Sequence, residues 1–240
     1  KKKKKFSTYF VWAKKSLQQK IFKRLFNLGF PTALQMLFEV AIFTASVFLA
    51  GTLGTNVQAA NQVALNLSSM TFMIAVGIGV TATIRVGNQK GQHNYKELRR
   101  IAFSTFFLVF IIEAFFALGF ILLKDILPTF YIDNTEVIIL AAQLLIVAAL
   151  FQLSDGLQVV ILGALRGLQD VRYPTLICFI AYWVIGFPVS YFLGKENAWG
   201  SMGIWFGLLA GLSASSIMLY IRFNYLSKKL IERGVIKDLL

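Results

Sequence analysis

Six long apolar segments make up most of the chain, and the charged residues collect in the short stretches between them. Between Arg24 and Arg85 the only charged residue is Glu39, and glycines and small polar residues at 51–56 indicate a tight loop there. A helix needs about 20 apolar residues to cross a hydrocarbon core of roughly 30 Å. The pattern therefore predicts six transmembrane helices, at about 25–50, 57–84, 101–123, 137–165, 173–194 and 197–221.

Helices are the expected form of these segments because lipid offers the backbone no hydrogen-bond partners, and a helix pairs its own backbone groups. The short segments of alternating polarity that are typical of a membrane β-barrel are missing from the sequence. The predicted fold class is therefore an all-α integral membrane protein, a six-helix transmembrane bundle.

Composition excludes several other classes of protein. Of the 240 residues, 57% are hydrophobic and only 15% are charged, whereas a soluble domain has about 25% charged residues. This excludes a soluble globule and a disordered chain. The single cysteine, Cys178, cannot form an internal disulfide, so a disulfide-stapled secreted scaffold is excluded as well.

The basic residues indicate how the chain is oriented. Lys and Arg number 24 against 11 Asp and Glu, which gives a formal net charge of +13. All of the Lys and Arg except Lys124 and Lys195 lie at the two ends of the chain or in alternate connections between the spans. Cytoplasmic loops collect Lys and Arg, so both termini are predicted to be cytoplasmic. This topology explains the basic excess without nucleic-acid binding.

The regions outside the bundle are expected to differ from it. Residues 1–24 are predicted to form a basic cytoplasmic linker, because apolar side chains recur at helical spacing from residue 6 and lysines occupy the other side, as in a helix that lies in the headgroup region. The transmembrane lobe spans 25–226, and a cytoplasmic tail covers 227–240. The chain opens on five lysines without an initiator methionine, so we expect it to be a piece of a longer protein.

Three acidic residues lie inside the predicted spans: Glu39, Glu113 and Asp155. At about 1.5 Å per residue, each is roughly 16 to 22 Å from the nearest basic residue at the cytoplasmic boundary, close to the middle of the bilayer. An ionisable group at that depth costs at least about 2.5 to 3.5 kcal/mol on insertion scales. Each of the three therefore calls for a structural or functional reason.

The neighbouring residues separate these acids. Gln35 shares a helical face with Glu39, Gln62 shares one with Asn66, and Gln158 follows Asp155 by three residues. These amides are candidates for lining a polar cavity. Glu113 has no polar residue within a turn on either side, which favours a protonated or locally paired glutamate that faces another helix. Its role is left open.

Two interpretations of Glu39 and Asp155 remain. They are either separate carboxyls, each bonded to a local backbone or hydroxyl group, or a pair that shares a water-filled cavity. In a shared cavity their mutual repulsion is relieved by binding a proton, or by Na⁺, which prefers hard oxygen ligands. This second interpretation is the chemistry of an ion-coupled transporter. No other cofactor is expected.

Four stretches of the sequence are long enough to be specific for a family: PTALQMLFEVAIF (31–43), AANQVALNLSSMTFMIAVGIGVTATIRVGNQKG (59–91), FQLSDGLQVVILGALRGLQD (151–170) and IAYWVIGFPVSYFLG (180–194). They resemble the C-terminal lobe of multidrug and toxic compound extrusion (MATE) transporters, in their NorM-like bacterial branch. The resemblance covers nearly the whole chain in order. It implies the second half of a twelve-helix transporter whose two lobes face each other across a central cavity.

The resemblance also implies site residues. The family's cation-binding carboxylates in this lobe match Glu39 and Asp155, whereas Glu113 has no counterpart. Some relatives have a tyrosine where this chain has Phe151, which offers no oxygen ligand, so Phe151 is a candidate lining residue only. Relatives can carry histidine at the position of Asn61. Na⁺ and H⁺ therefore both remain open as the coupling ion.

The expected function is a cation-coupled antiporter, not an enzyme, that exports small organic and often cationic drugs across a bacterial inner membrane. Its expected partners are the lipid bilayer and the missing N-terminal six-helix lobe, either in the same full-length chain or as a second copy. The alternative within the superfamily is a flippase or exporter of a lipid-linked or amphipathic metabolite. A membrane-embedded enzyme ranks far behind, because the acids near the cytoplasmic boundary have no motif spacing.

Overall fold

The computed structural model describes residues 19–196 and 199–238, and six long helices hold most of them. In chain order the helices are α1 (Gln19–Gly51), α2 (Thr55–Gly91), α3 (Tyr95–Leu122), α4 (Thr135–Gly167), α5 (Arg172–Lys195) and α6 (Gly200–Asp238). Each of the six is long and apolar enough to cross a membrane. The predicted all-α, six-helix membrane fold is confirmed.

The helices extend beyond the apolar segments that predicted them. Within the described residues α1 starts at Gln19 and runs without a break past residue 24, the predicted end of the interfacial helix. Residues 1–18 of that predicted helix lie outside the described residues. At the other end, α6 continues through the predicted tail to Asp238. Charge ends the apolar pattern without ending the helix, because Lys, Arg and Glu are good helix formers.

Helix α4 is the centre of the bundle. Most of its residues are buried, including a run of small and aliphatic side chains from Val160 to Leu165. Helix α1 buries few of its residues and lies at the edge. Helices α2, α3 and α6 pack around α4. A side chain on α4 is therefore positioned by several neighbours at once, and Asp155 belongs to this helix.

Glycines bring α2 and α4 into close contact. A methyl group on Gly163 would collide with the backbone carbonyl of Gly79, and one on Gly167 would collide with the backbone of α2 near Gly87. At the same crossing the hydroxyl of Thr83 donates to the carbonyl of Gly163 at 2.9 Å. Small residues allow transmembrane helices to approach in this way. Gly77, two residues before Gly79, takes no part in this contact, because a methyl group there would meet nothing within 4 Å.

Helix α5 is irregular around Pro188. It is π-helical at Ile180–Gly186 and becomes α-helical again at Phe187–Tyr191. The amide of Phe187 donates to the carbonyl of Tyr182, five residues back. Pro188 has no N–H, and its ring crowds the carbonyl one turn before it. A wider turn directly before Pro188 accommodates both effects.

Large apolar side chains cover the outside of the bundle. Phe48 is 74% exposed, Phe107 67% and Phe115 72%. So many large apolar side chains on the surface indicate contact with lipid, because exposing them to water would cost free energy. The chain is a multi-pass membrane protein.

Candidate functional site

A cavity of about 470 Å³ opens between α1, α2 and α4. Its walls combine apolar and aromatic side chains with two carboxyls, amides, hydroxyls and one guanidinium group. The lining residues are Met36, Glu39, Val40 and Phe43 from α1, Gln62, Leu65, Asn66, Ser68, Ser69, Phe72 and Val76 from α2, and Phe151, Asp155, Val159 and Arg166 from α4.

The structure brings Glu39 of α1 and Asp155 of α4 to the lining of this one cavity. Asp155 is 5% exposed, and its Oδ1 atom has no hydrogen-bond partner within the described residues. Glu39 is partly exposed to the cavity. Of the two interpretations of these carboxyls, the geometry therefore favours a shared cavity. An unpaired carboxylate oxygen in a buried wall attracts a proton or a cation.

Polar groups on α2 face the two carboxyls. Gln62 and Asn66 line the cavity one helical turn apart, together with the hydroxyls of Ser68 and Ser69. The Oδ1 atom of Asn66 accepts a hydrogen bond of 3.1 Å from the hydroxyl of Tyr131. In the described part of the chain no three His, Cys, Asp or Glu side chains come together. A metal ion in this cavity would therefore draw on amide and hydroxyl oxygens as well as carboxylates.

One predicted lining residue, Gln158, lies outside the cavity. Gln158 is fully buried and donates to the hydroxyl of Tyr182 on α5, so the prediction that it lines the cavity is wrong. Gln152 is also buried, and it donates to Thr71 on α2. Side chains that are three residues apart on a helix point in directions that differ by about 60°, because a turn holds 3.6 residues. Gln152 and Gln158 therefore flank Asp155 on either side, against different helices.

Gln35 lies just behind the cavity instead of lining it. It is 2% exposed, and its Oε1 atom accepts a hydrogen bond of 3.0 Å from the guanidinium group of Arg166. Its Nε2 atom has no partner within the described residues. The amide therefore acts on the cavity through Arg166, which it holds in place.

Phe151 lines the cavity and closes it with other aromatic rings. It lies edge-on to Phe43, at 5.9 Å between ring centroids, and to Trp205, at 5.3 Å. The indole N–H of Trp205 donates to the side-chain oxygen of Asn61 at 2.9 Å. The side chain of Asn61 is therefore hydrogen-bonded to α6, behind these aromatic rings. Phe151 itself makes one end of the cavity apolar.

Arg166 is a cavity residue that sequence reasoning missed, because its charge placed it in the loop after the fourth span. It follows Asp155 by eleven residues, or about three helical turns, which brings both side chains to the same face of α4. Phe151 and Val159, one turn on either side of Asp155, complete that face. This spacing is the signal that could have identified Arg166.

Glu113 is outside the cavity and faces α4, as its apolar surroundings predicted. It is fully buried, and its side chain packs against Gly156, where an added Cβ would lie 2.5 Å from the Cγ atom of Glu113. Neither carboxyl oxygen has a hydrogen-bond partner within the described residues. The side chain therefore fills the space between α3 and α4 and is not among the residues that line the cavity of Glu39 and Asp155.

Comparison with known proteins identifies the family of the chain. Residues 31–192 match the MatE family, a stretch that contains Glu39, Asp155 and Arg166. The chain belongs to the MatE family. It is 39% identical over 221 residues to the multidrug resistance protein NorM of Photobacterium profundum. It is also 39% identical over 211 residues to the multidrug resistance protein MdtK of Proteus mirabilis.

The MatE chain spans about half the length of these relatives. The NorM match covers 90% of this chain and 48% of NorM, and the MdtK match covers 86% of this chain and 46% of MdtK. The fold agrees with the crystal structure of the eukaryotic MATE transporter AtDTX14, with a TM-score of 0.80 over 91% of this chain and 51% of that one, at 20% sequence identity. The MatE chain thus belongs to a family of transporters, not of enzymes.

Proposed function

We propose that this chain is one six-helix lobe of a cation-coupled exporter of organic, often cationic, drugs. The observation that carries the proposal is the cavity in which Glu39 and Asp155 face amide and hydroxyl groups deep in the membrane helices. The relatives NorM and MdtK are named as multidrug resistance proteins, which supports drugs as the substrate class.

The charges of the cavity suggest how ion and drug are exchanged. Glu39 and Asp155 carry two negative charges when both are ionised, and Arg166 carries one positive charge. One monovalent cation therefore neutralises the cavity, whether it is H⁺, Na⁺ or a cationic drug. Binding a second cation costs more free energy than binding the first, because it would leave a net positive charge in a membrane-buried site.

This competition becomes transport when the ion and the drug differ in affinity for two conformations. In the proposed cycle, H⁺ or Na⁺ entering from outside binds at Glu39 and Asp155 and favours the conformation that releases the drug to the exterior. The apolar wall of Phe43, Phe72 and Phe151 provides the surface for the organic part of the drug. We place the protein in the bacterial inner membrane, with both termini cytoplasmic.

A second lobe completes the proposed transporter. The cavity is only partly enclosed by this chain, and α1 and α2, which form two of its walls, carry many exposed apolar side chains. A single lobe cannot enclose a drug, and alternating access needs two lobes that rock around a shared site. The partner is either six preceding helices of the same protein or a second copy of this chain. Coding sequence for six further spans upstream of Lys1 would support the first arrangement, and a start codon there would support the second.

The test replaces each cavity carboxyl by its amide in the full-length transporter, reconstituted in proteoliposomes. Glu39→Gln and Asp155→Asn are expected to slow the efflux of a fluorescent organic cation by about tenfold or more, since couplings between sites lie in the range of about 5- to 150-fold. The matched control is Glu113→Gln, which also removes a buried carboxyl but lies outside the cavity, and its efflux should stay within about twofold of the parent.

Separate Na⁺ and pH gradients in the same vesicles identify the coupling ion. The gradient that drives efflux in the parent should lose its effect in both cavity variants. Unchanged efflux and unchanged ion dependence in both of them would refute the site. An equal loss in Glu113→Gln would also count against it, because the effect would then not depend on the cavity.

A further inference from the structure

A second cavity, of about 500 Å³, lies where the first turns of α1 meet the turn between α4 and α5. This basic cavity is far from the carboxyls of the candidate site, at the end of the bundle predicted to face the cytoplasm. Its lining residues are Lys20, Lys23, Arg24, Asn27, Leu28, Gln169, Asp170, Val171, Arg172 and Tyr173.

Positive charge dominates the basic cavity. Four of its lining residues are cations, three from α1 and Arg172 from α5. Asp170 is the one acid among the described lining residues, and it is already paired with Arg222 at 2.9 Å. Residues 1–18, which precede the cavity in the chain, contain lysines and no acid. The cations of this cavity therefore lack a matching number of carboxylates.

The walls of the basic cavity are held in place by contacts that do not consume all of its cations. Arg24 donates to the side-chain oxygen of Gln169 at 3.0 Å, which joins α1 to the α4–α5 turn. The guanidinium group of Arg222 lies 3.9 Å from the centre of the Tyr173 ring. Thr175 on α5 donates to the carbonyl of Pro31 on α1 at 2.8 Å. The cavity is thus a formed feature between two helices and a turn.

Apolar side chains continue from the basic cavity toward the membrane interior. Phe26 and Phe30 follow Lys23 by three and seven residues on α1, and their rings stack at 5.6 Å. Both rings are 57% exposed, and Leu176 on α5 is 55% exposed. At this depth exposed apolar side chains contact lipid chains. A ligand seated here would therefore meet cations at one end and hydrocarbon at the other.

We propose that the basic cavity binds the phosphate headgroup of an anionic phospholipid, with the acyl chains along Phe26, Phe30 and Leu176. Lysine and arginine donate charge-assisted hydrogen bonds to phosphate oxygens. Basic pockets between transmembrane helices on the cytoplasmic side are suited to such headgroups. The lipid would hold α1, which carries Glu39, against the α4–α5 turn, which directly follows the last turn of α4 with Arg166. The proposal does not depend on what the protein transports.

The test measures lipid binding to delipidated full-length transporter in detergent by native mass spectrometry, with short-chain phosphatidylglycerol and phosphatidylcholine as probes. The variant Lys20→Gln/Lys23→Gln should bind phosphatidylglycerol about 25-fold more weakly than the parent, from about fivefold for each cation near a membrane surface. Phosphatidylcholine binding should not change. Lys20→Arg/Lys23→Arg keeps both charges and should retain the phosphatidylglycerol affinity of the parent.

The matched control is Lys228→Gln/Lys229→Gln, which removes the same charge from two exposed lysines on α6 outside the basic cavity. Its affinity for phosphatidylglycerol should stay within about twofold of the parent, since distant surface charges are screened by salt. An equal loss in this control would overturn the proposal, because binding would then follow net charge alone. Displacement of the lipid by equimolar inorganic phosphate would also overturn it, since the ligand would then be a soluble phosphate.

Discussion

At the scale of single residues, Arg166 decides how strongly the cavity attracts a cation. Its guanidinium group offsets one of the two carboxylates, and Gln35 holds it there. For a bound cation about 10 Å from the guanidinium group, at an effective dielectric constant of about 20, the repulsion is about 1.7 kcal/mol, or roughly 15-fold in affinity. The arginine thus weakens cation binding enough for release, which a transporter needs as much as binding.

This argument predicts that Arg166→Gln binds a fluorescent organic cation about tenfold more tightly than the parent and exports it more slowly. Fluorescence anisotropy measures the affinity in detergent, and efflux from proteoliposomes measures the rate. Arg166→Lys keeps the charge and should retain the affinity of the parent. Weaker cation binding by Arg166→Gln would contradict the argument, because it would make the arginine a structural support for the site and not an opposing charge.

At the scale of helices, the contact between α2 and α4 fixes the relative positions of Asn66 and Asp155. A methyl group at Gly163 would meet the backbone oxygen of Gly79, which cannot move aside like a side chain. The helices would have to separate, and overpacking of this kind costs about 1 to 3 kcal/mol. We therefore expect Gly163→Ala to lower the unfolding temperature in detergent, measured by circular dichroism.

The control for this variant is Gly119→Ala on α3, where an added Cβ meets no other atom within 4 Å. It should leave the unfolding temperature unchanged or raise it slightly, because alanine favours helix by about 1 kcal/mol over glycine. Equal destabilisation by both variants would show that glycine flexibility, and not the close approach of α2 and α4, is what matters at Gly163.

Helices also show how far the sequence could predict the site. Glu39 and Asp155 were predicted because a charge deep in an apolar segment is costly whatever its neighbours are. The prediction for Gln158 is wrong because spacing along one helix does not show which neighbouring helix each face contacts. In the structure Gln158 contacts Tyr182 on α5. For Arg166 the charge predicts a loop, because the apolar segment ends at residue 165, whereas α4 continues to Gly167. The contacts of α4 with Tyr182 on α5 and with Gln35 on α1, which decide these two cases, are not visible in local periodicity.

At the scale of the whole molecule, the arrangement of basic residues gives the chain a direction across the membrane. The connection between α2 and α3 lies beside Lys90, Lys96, Arg99 and Arg100, whereas the connection between α3 and α4 has Lys124 as its only basic residue. Lysine and arginine resist translocation across a membrane that is negative inside. The end of the bundle that holds the basic cavity should therefore face the cytoplasm.

Two single cysteines test this orientation in a Cys178→Ser background, in which the buried native thiol is removed. Gln92→Cys and Asp133→Cys place thiols at exposed positions in the two connections. In right-side-out spheroplasts a membrane-impermeant maleimide should label Asp133→Cys at once and Gln92→Cys only after permeabilisation. The reverse labelling pattern would contradict the predicted orientation. It would place the basic cavity at the outer leaflet of the membrane. Labelling of both before permeabilisation would contradict the six-span topology, because α3 alone separates the two connections and a single span places its two ends on opposite sides of the membrane.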